Sequence, residues 1–376
     1  MRENPKLRTY QLEEIEHLKI HGRTAGRLSP LALFWTGSGI ELNVTGSELW
    51  VELEGDFTAN ETWISILVNK AAVSRQMVIP GRNRICIFRG MNESVVKNIR
   101  IVRDTQAMSG DPDNYLQLHA VSSDGEFMPV THRPYKIEFV GDSITSGEGA
   151  VGAREEEDWI SLWFSGVDNY TMYTAEALNA EARIISQSGW GVLTGWDNNP
   201  HCNIPEYYEK VCGVLTGGHN KALGAYEEND FASWEPDIIV VNLGTNDAGA
   251  FAQPEWRDEA AGETHKQRVN ADGSFHEEDV RAFERAAESF LTKLRKYNKK
   301  AYIIWAYGML GDVMEPMILR AMDAYTARTG DDRISYLKLP DTTDETMGAR
   351  WHPGKLSHQA AAKVLTEFIR RKGIVL

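Results

Sequence analysis

Apolar and polar residues alternate along the first third of the chain, from about residue 31 to residue 121. Because successive side chains of a strand point to opposite faces, this period of two predicts strands with one buried face. The alternating runs are Ile40–Val44, Leu49–Glu54, Ile64–Val68, Arg84–Phe88 and Ile99–Val102. Turn residues separate the runs, so the pattern predicts an antiparallel sandwich such as a jelly roll. One short helix is expected near residues 11–19.

From about residue 132 onward, apolar strand-like runs alternate with helical segments. The run 237–243 is apolar almost throughout, which is typical of a parallel strand buried on both faces. Further strands are predicted at 135–140, 184–186, 301–307 and 334–339, and helices at 171–179, 277–296, 314–328 and 357–371. This alternation predicts a parallel sheet flanked by helices. We therefore expect an all-β sandwich over residues 1–132, followed by an α/β domain over residues 133–376.

Two polar stretches, residues 148–168 and 248–273, interrupt the alternation of strands and helices. Each follows a predicted strand of the α/β half. Ligand sites of parallel sheets form from the loops at the carboxyl ends of the strands. The two stretches are therefore candidate walls of a substrate site, and the alternative interpretation is that they are solvated surface loops.

The charge balance narrows the class of partner. The chain has 376 residues, with 40 Lys and Arg against 54 Asp and Glu, and a net charge of −14. Such a surface repels phosphate backbones and anionic membranes, so neither nucleic acid nor a membrane is an expected partner. The sequence begins at Met1 without an apolar run, which predicts a soluble, cytoplasmic protein. The sequence leaves open whether the protein forms a homo-oligomer.

The cysteines suggest neither a disulfide framework nor a metal site. Cys86, Cys202 and Cys212 form an odd, widely spaced set. No metal-binding motif with histidines or clustered carboxylates is present either. We therefore expect three free thiols, no metal and no cofactor.

Four short motifs carry candidate chemistry, and each follows a predicted strand. Ser143 lies in a Gly-Asp-Ser turn, where its hydroxyl and backbone N–H face the same space, as a nucleophile requires. Gly189 leaves its backbone N–H open to a ligand because it has no Cβ. The side chain of Asn246 can donate N–H groups into the same crevice. His352 precedes the last helix and can act as a base.

The order Ser, Gly, Asn, His resembles the SGNH (GDSL-type) hydrolase superfamily, which is named after these four residues. The resemblance covers residues from about 133 to 376. It implies that Ser143 is the nucleophile and one oxyanion donor, and that His352 is the general base. Gly189 would be the second oxyanion donor, with Gly191 as the alternative, and Asn246 would be the third.

The β-rich half narrows the resemblance. Gly22-Arg23, the segment 33–42 and the β-rich run before the Gly-Asp-Ser strand resemble the two-domain architecture of carbohydrate esterase family 2. This resemblance implies a jelly-roll domain before an SGNH domain. The implied activity is that of a serine esterase, acetyl xylan esterase-like, which removes O-acetyl groups from plant polysaccharides or oligosaccharides without a cofactor. The alternatives are an SGNH lipase or thioesterase with another acyl substrate, and a carbohydrate-binding protein.

One position departs from the usual SGNH pattern. These enzymes commonly carry Asp three residues before the histidine, and that position is Ala349 here. The resemblance to family 2 implies a Ser–His dyad in which a backbone carbonyl orients the imidazole. The alternative is a displaced acid, from one of the two polar stretches or from the nearest upstream acids, which are Asp341, Asp344 and Glu345.

Aromatic residues flank the motifs and are candidates for binding sugar rings. Trp190, Trp196 and Trp351 adjoin or lie near the predicted site residues, and Trp351 is the best placed. The alternative for each is an ordinary core residue. His358, six residues after His352, is expected to be structural.

Overall fold

The computed structural model describes residues 6–375, so the first five residues of the predicted β domain and Leu376 lie outside it. The strands, in chain order, are β1 Arg8–Gln11, β2 Lys19–His21, β3 Leu31–Ala32, β4 Gly39–Val44, β5 Glu48–Asp56, β6 Thr62–Val68, β7 Ala71–Val78, β8 Gly81–Arg89, β9 Lys97–Arg103, β10 Tyr115–Ser123, β11 Phe127–Met128, β12 Tyr135–Gly141, β13 Ala180–Ser186, β14 Ile238–Asn242, β15 Trp256–Asp258, β16 Glu263–His265, β17 Tyr302–Gly308 and β18 Ile334–Leu339.

The α-helices, in chain order, are α1 Ser143–Ser146, α2 Tyr170–Ala177, α3 Ile204–Tyr207, α4 Gly218–Ala222, α5 Thr245–Ala250, α6 Glu277–Tyr297, α7 Glu315–Thr329 and α8 Lys355–Arg371. Short 3₁₀ turns are present at Leu12–Glu14, Ser161–Trp163 and Ala349–Trp351. The chain divides into two compact units, and the first contains residues 1–133, 159–167 and 210–229.

The first unit is built from two antiparallel sheets. One has the strand order β1-β10-β5-β8, with β3 also paired to β10, and the other has the order β11-β4-β9-β6-β7, with β2 paired to β4. Burial alternates along β5, where Leu49, Val51 and Leu53 are buried. Apolar residues of both sheets share one core, as expected for a sandwich whose inner faces meet.

The helix expected near residues 11–19 is wrong. β1 ends at Gln11, one 3₁₀ turn follows at Leu12–Glu14, and β2 begins at Lys19. Leu12 and Ile15 are buried, so the apolar spacing that resembled a helix anchors a single turn to the sandwich core. His17 has a φ of 65°, which a right-handed helix does not allow.

Two segments from the second half of the sequence complete the first unit. Asp104 is buried and accepts hydrogen bonds from the N–H groups of Gly166 and Val167 at 2.9 and 3.1 Å. The indole of Trp35 donates to the carbonyl of Val211 at 2.8 Å. The predicted boundary between residues 132 and 133 stays a prediction, and the compact first unit extends beyond it through residues 159–167 and 210–229.

The second unit contains a parallel sheet with the strand order β13-β12-β14-β17-β18. Every residue of β14 is buried, which explains its nearly continuous apolar sequence. β12 pairs with β13 on one side and with β14 on the other, so Gly141 lies opposite both Ser186 and Asn242. A crevice forms where the chain connects to opposite sides of one strand, and the loops beyond these three residues surround it. The predicted architecture, an α/β domain with a parallel sheet preceded by a β-sandwich, is confirmed.

Candidate active site

The turn after β12 places Ser143 at the start of the short helix α1. Asp142 caps this helix, since its Oδ1 accepts a hydrogen bond from the Ile144 N–H at 3.0 Å. The first N–H groups of a helix have no acceptor within the helix. The Ser143 N–H is one of them, so it has no hydrogen-bond acceptor within α1.

His352 contacts Ser143 directly. Its Nε2 lies 3.0 Å from Ser143 Oγ, and its Nδ1 lies 2.7 Å from the main-chain oxygen of Arg350. A carbonyl oxygen only accepts hydrogen bonds, so Nδ1 carries the proton and Nε2 is left to accept from the serine hydroxyl. The sequence left open whether a backbone carbonyl or a displaced acid orients His352. The group that faces Nδ1 is a backbone carbonyl, that of Arg350.

An unusual backbone conformation directs this carbonyl at the imidazole. Arg350 and Trp351 both have a φ of 58°, in the left-handed region that side chains disfavour. The Arg350 N–H donates to the carbonyl of Glu156 at 2.7 Å, and its Nη1 donates to the carbonyl of Glu157 at 2.8 Å. These bonds, both to the first polar stretch, hold the conformation.

Gly149 allows the histidine loop to approach closely. A Cβ at this position would lie 2.3 Å from the Ala349 oxygen and 2.6 Å from the His352 Cβ. No other residue fits without moving the loop, and the φ of Gly149, 71°, also favours glycine. The start of the first polar stretch therefore packs against the histidine loop, and its role as a wall of the substrate site stays a prediction.

The loop after β13 contains both candidate glycines, and the structure distinguishes them. The Gly191 N–H donates to the Cys202 carbonyl at 3.2 Å. No hydrogen bond between described residues uses the Gly189 N–H. At Gly189, φ is 79° and a Cβ would lie 2.9 Å from Trp196 Cδ1. Gly189 is therefore the better candidate for an N–H donor to a ligand.

Asn246 lies in the first turn of α5, just beyond β14. Its Nδ2 donates to the Trp190 carbonyl at 2.9 Å and lies 3.3 Å from Asp142 Oδ2. The amide thus joins the loop after β13 to the turn that contains Ser143.

Two buried carboxyl groups lie beneath these loops. Burial raises the pKa of Asp142 to about 8, and the neighbouring Asp247 and Glu148 add to the shift. Burial also raises the pKa of Asp247 to about 6, although three backbone N–H groups of the loop at Val192–Thr194 oppose the shift. Asp142 is therefore largely protonated at neutral pH.

His358 has the structural environment that the sequence predicted. It is fully buried, and its Nδ1 accepts from the Tyr170 N–H at 3.3 Å. Burial lowers its pKa to about 3, so the ring is neutral under ordinary conditions. These contacts account for His358 as a structural residue, with no role as a second base.

Glu148 is a site residue that was not singled out from the sequence, which left open an acid from either polar stretch. It is 2% exposed. Its Oε1 lies 3.0 Å from Arg350 Nε, and its Oε2 accepts from Ser188 Oγ and lies 3.7 Å from His352 Nε2. The only available signal was its position, five residues after Ser143 at the beginning of a polar stretch that follows a strand end.

The three candidate tryptophans differ in exposure. Trp351 is 58% exposed and Trp196 is 51% exposed, so both offer an open ring face. Trp190 is 7% exposed and packs against Tyr207 with ring centroids 4.9 Å apart. It therefore lacks the open face that stacking on a sugar requires, and its contribution here is the main-chain oxygen bonded to Asn246.

The described part of the chain contains neither a cluster of metal ligands nor a membrane-spanning helix. Within residues 6–375, no group of three or more His, Cys, Asp and Glu side chains is arranged to hold a metal ion. In the same part of the chain, no helix combines the length and the apolar character needed to cross a bilayer. Cys86, Cys202 and Cys212 are free thiols.

Comparison with solved structures gives two informative neighbours. An acetyl xylan esterase, Est2A, from the rumen bacterium Butyrivibrio proteoclasticus is 45% identical, with a TM-score of 0.96 over 98% of this chain and 100% of that chain. A family two carbohydrate esterase from Clostridium thermocellum, solved with cellohexaose, is 23% identical, with a TM-score of 0.78 over 95% of this chain and 100% of that chain. The second likeness shows the shared two-domain fold.

Comparison with curated sequences points to the same group. The cellulase/esterase CelE of Acetivibrio thermocellus is 24% identical over 352 residues, which are 90% of this chain and 37% of that protein. The chain thus spans little more than a third of this relative. The model of the GDSL-like lipase/acylhydrolase family matches residues 137–365, a range that contains Ser143, Gly189, Asn246 and His352. The resemblance drawn from the sequence is confirmed, and this chain belongs to the GDSL-like lipase/acylhydrolase family.

Proposed function

We propose that the protein is a serine esterase that removes O-acetyl groups from plant polysaccharides or oligosaccharides by a Ser143–His352 mechanism. The observation that carries the proposal is the 3.0 Å contact between Ser143 Oγ and a His352 Nε2 that is free to accept a proton. The 45% identity to an acetyl xylan esterase over nearly the whole chain supports acetylated xylan as the substrate class.

In the first half of the reaction, His352 Nε2 takes the hydroxyl proton while Ser143 Oγ attacks the acetyl carbonyl. A bond forms between Oγ and the carbonyl carbon, and the carbonyl oxygen becomes an oxyanion. When this tetrahedral intermediate collapses, the bond to the sugar oxygen breaks, and His352 gives its proton to the departing hydroxyl. The acetyl group remains on Ser143. In the second half, His352 deprotonates a water molecule, and the water oxygen bonds to the acetyl carbonyl carbon. The bond between that carbon and Ser143 Oγ then breaks, His352 returns the proton to Oγ, and the acetyl group leaves as acetate.

We propose that three N–H groups hold the oxyanion, from Ser143, Gly189 and the side chain of Asn246. The Asn246 amide has two N–H bonds, and one is used by the Trp190 carbonyl. The other points toward Asp142, whose raised pKa keeps that carboxyl mostly neutral at pH 7. A neutral carboxyl accepts this hydrogen bond less strongly than a carboxylate does. The Asn246 N–H can therefore leave Asp142 and donate to the oxyanion instead.

The substrate contacts that we propose are the open faces of Trp351 and Trp196. Trp351 directly precedes His352, and Trp196 covers Gly189, so a ring stacked on either one lies beside the reacting groups. Trp351→Ala should raise KM for acetylated xylo-oligosaccharides several-fold and leave KM for p-nitrophenyl acetate unchanged. Equal changes for both substrates would contradict a sugar contact.

The deciding experiment compares p-nitrophenyl acetate with p-nitrophenyl octanoate, and then follows acetate release from acetylated xylan and mannan oligosaccharides. We expect a strong preference for acetate and activity on at least one of these carbohydrates. A preference for octanoate would indicate a lipase, and oligosaccharide binding without hydrolysis would indicate a carbohydrate-binding protein.

Ser143→Ala should abolish activity, and a fluorophosphonate should label Ser143 in the unmodified enzyme. Ser146→Ala is the matched control, because it removes a hydroxyl from the same short helix, where Oγ bonds to Ser186 Oγ at 2.9 Å. The control should remain active. Labelling at a different residue would disprove the assignment of the nucleophile.

A further inference from the structure

Glu148 connects three segments of the site through one buried carboxylate. Its backbone N–H donates to the Ser143 carbonyl at 3.0 Å, which fixes it behind α1. Its Oε1 bonds to Arg350 Nε, and its Oε2 bonds to the Ser188 hydroxyl, next to Gly189. The same Oε2 is the carboxylate oxygen 3.7 Å from His352 Nε2.

We propose that Glu148 is a positioning residue that replaces the missing triad carboxylate from the opposite side of the imidazole. Acting through Arg350, it holds the carbonyl that orients His352. Acting through its charge, it stabilises the imidazolium that forms when Ser143 gives up its proton. The proposal rests on the proposed function, because it concerns the base of that reaction.

The positioning part follows from the backbone of Arg350. Its left-handed φ is disfavoured, and such a conformation persists only where the surroundings hold it firmly. Two of the bonds that hold it go to main-chain oxygens of the first polar stretch, at Glu156 and Glu157. The third goes to the Glu148 side chain, whose other carboxylate oxygen lies 3.7 Å from His352 Nε2. Removing this carboxylate therefore loosens the carbonyl that fixes the histidine tautomer.

The electrostatic part follows from the charges around the imidazole. Glu148 lies 3.7 Å from Nε2, and the Arg350 guanidinium is bonded to that carboxylate. The other titratable groups nearby are His358, whose pKa the charge of His352 helps to lower, and Asp142, which adjoins Ser143. His358 is neutral because burial lowers its pKa to about 3, and Asp142 is largely neutral below its pKa of about 8. Glu148 and Arg350 therefore form the ion pair that adjoins His352. A nearby carboxylate favours the protonated imidazole, and a nearby guanidinium disfavours it.

These opposite effects predict opposite shifts of the pH profile. The enzyme is inactive when His352 is protonated, so kcat/KM falls on the acidic side. Glu148→Gln keeps the shape of the side chain and removes the negative charge, so the acidic limb should move to lower pH by about one unit, while kcat at pH 7 falls at least tenfold. Arg350→Ala removes the positive charge and leaves the carboxylate, so the limb should move to higher pH, while kcat also falls.

The assay is kcat/KM for p-nitrophenyl acetate between pH 4.5 and 7, with thermal unfolding of each variant recorded alongside. Glu155→Gln, an exposed glutamate of the same polar stretch, is the matched control and should leave the profile unchanged. If Glu148→Gln does not fold, Arg350→Ala decides alone. Unshifted limbs, or shifts in the same direction, would overturn the proposal. Loss of the proposed function is distinguishable, because the unmodified enzyme would then neither hydrolyse the ester nor react with a fluorophosphonate at Ser143.

Discussion

Removal of the Asn246 side chain tests whether the loop after β14 stabilises the transition state. Its Nδ2 is the one side-chain donor among the three N–H groups that we propose for the oxyanion, and it lies 2.9 Å from the Trp190 carbonyl oxygen and 3.3 Å from Asp142 Oδ2. Loss of one oxyanion donor costs about 2.7–4 kcal/mol, which corresponds to a fall of about 10²–10³ in kcat. The interaction strengthens only as negative charge develops, so KM should change little when Asn246 is replaced by Ala.

The same substitution also frees the Trp190 carbonyl, which loses a 2.9 Å hydrogen bond. We expect this loss to cost about 1 kcal/mol of unfolding free energy, measured by urea denaturation. Steady-state kinetics with p-nitrophenyl acetate give kcat and KM separately. The control is Asn270→Ala, a substitution in the second polar stretch. It removes an exposed side-chain amide that donates to Ser274 Oγ. A fall in kcat of less than fivefold, or a fall matched by the control, would refute an oxyanion role for Asn246.

Three further outcomes are expected. Neutralising the acids upstream of the histidine should cost less than about tenfold in kcat, against about 10⁴ for a triad carboxylate, and a loss of 10³ for any one of them would contradict the dyad. These acids are Asp341, Asp344 and Glu345. In the unmodified protein, stability should fall as the pH rises from about 4 to 8, because folded Asp142 keeps a proton that the unfolded chain releases. Asp142→Asn should reduce this fall, measured as the urea midpoint at each pH, and an unchanged slope of midpoint against pH would argue against the raised pKa. Residues 133–376 expressed alone should be poorly soluble, since segments 159–167 and 210–229 lose their packing partners, and a soluble, fully active fragment would refute this.

Sequence patterns predicted the long strands and helices of the second half closely. A buried strand and an amphipathic helix each leave a recognisable spacing of apolar residues within a short stretch of sequence. A run such as 237–243 is apolar because neighbouring strands and helices cover both of its faces, and α6 carries its apolar residues on one face. Three of the four motifs were found for the same reason, since the Ser143, Gly189 and Asn246 motifs closely follow strands, whereas His352 precedes the last helix. The failure at residues 11–19 arose where pairing with β10 and β4 outweighed helical spacing.

The contribution of Glu148 could not be read from the sequence. It depends on contacts with residues 40 and 202 positions away, at Ser188 and Arg350, and no short motif records such distances. The part played by the Arg350 carbonyl could not be predicted from the sequence either. Its direction depends on a backbone φ of 58° and not on the type of side chain. The absence of Asp at position 349 raised the right question, and only the folded backbone identified the atom that faces Nδ1.

The composition of the first unit has a consequence for synthesis of the chain on the ribosome. Its sandwich strands end at Met128, yet residues 210–229 belong to the same unit. At about 5–20 residues per second, the ribosome needs about 5–20 s to extend the chain from residue 133 to residue 229. During that time, the hydrogen-bond partners of two buried groups have not yet been synthesised. The Asp104 carboxylate lacks the N–H groups of Gly166 and Val167, and the Trp35 indole lacks the Val211 carbonyl. A nascent chain stalled at residue 140 should therefore be digested by protease within the sandwich, whereas one released beyond residue 229 should resist.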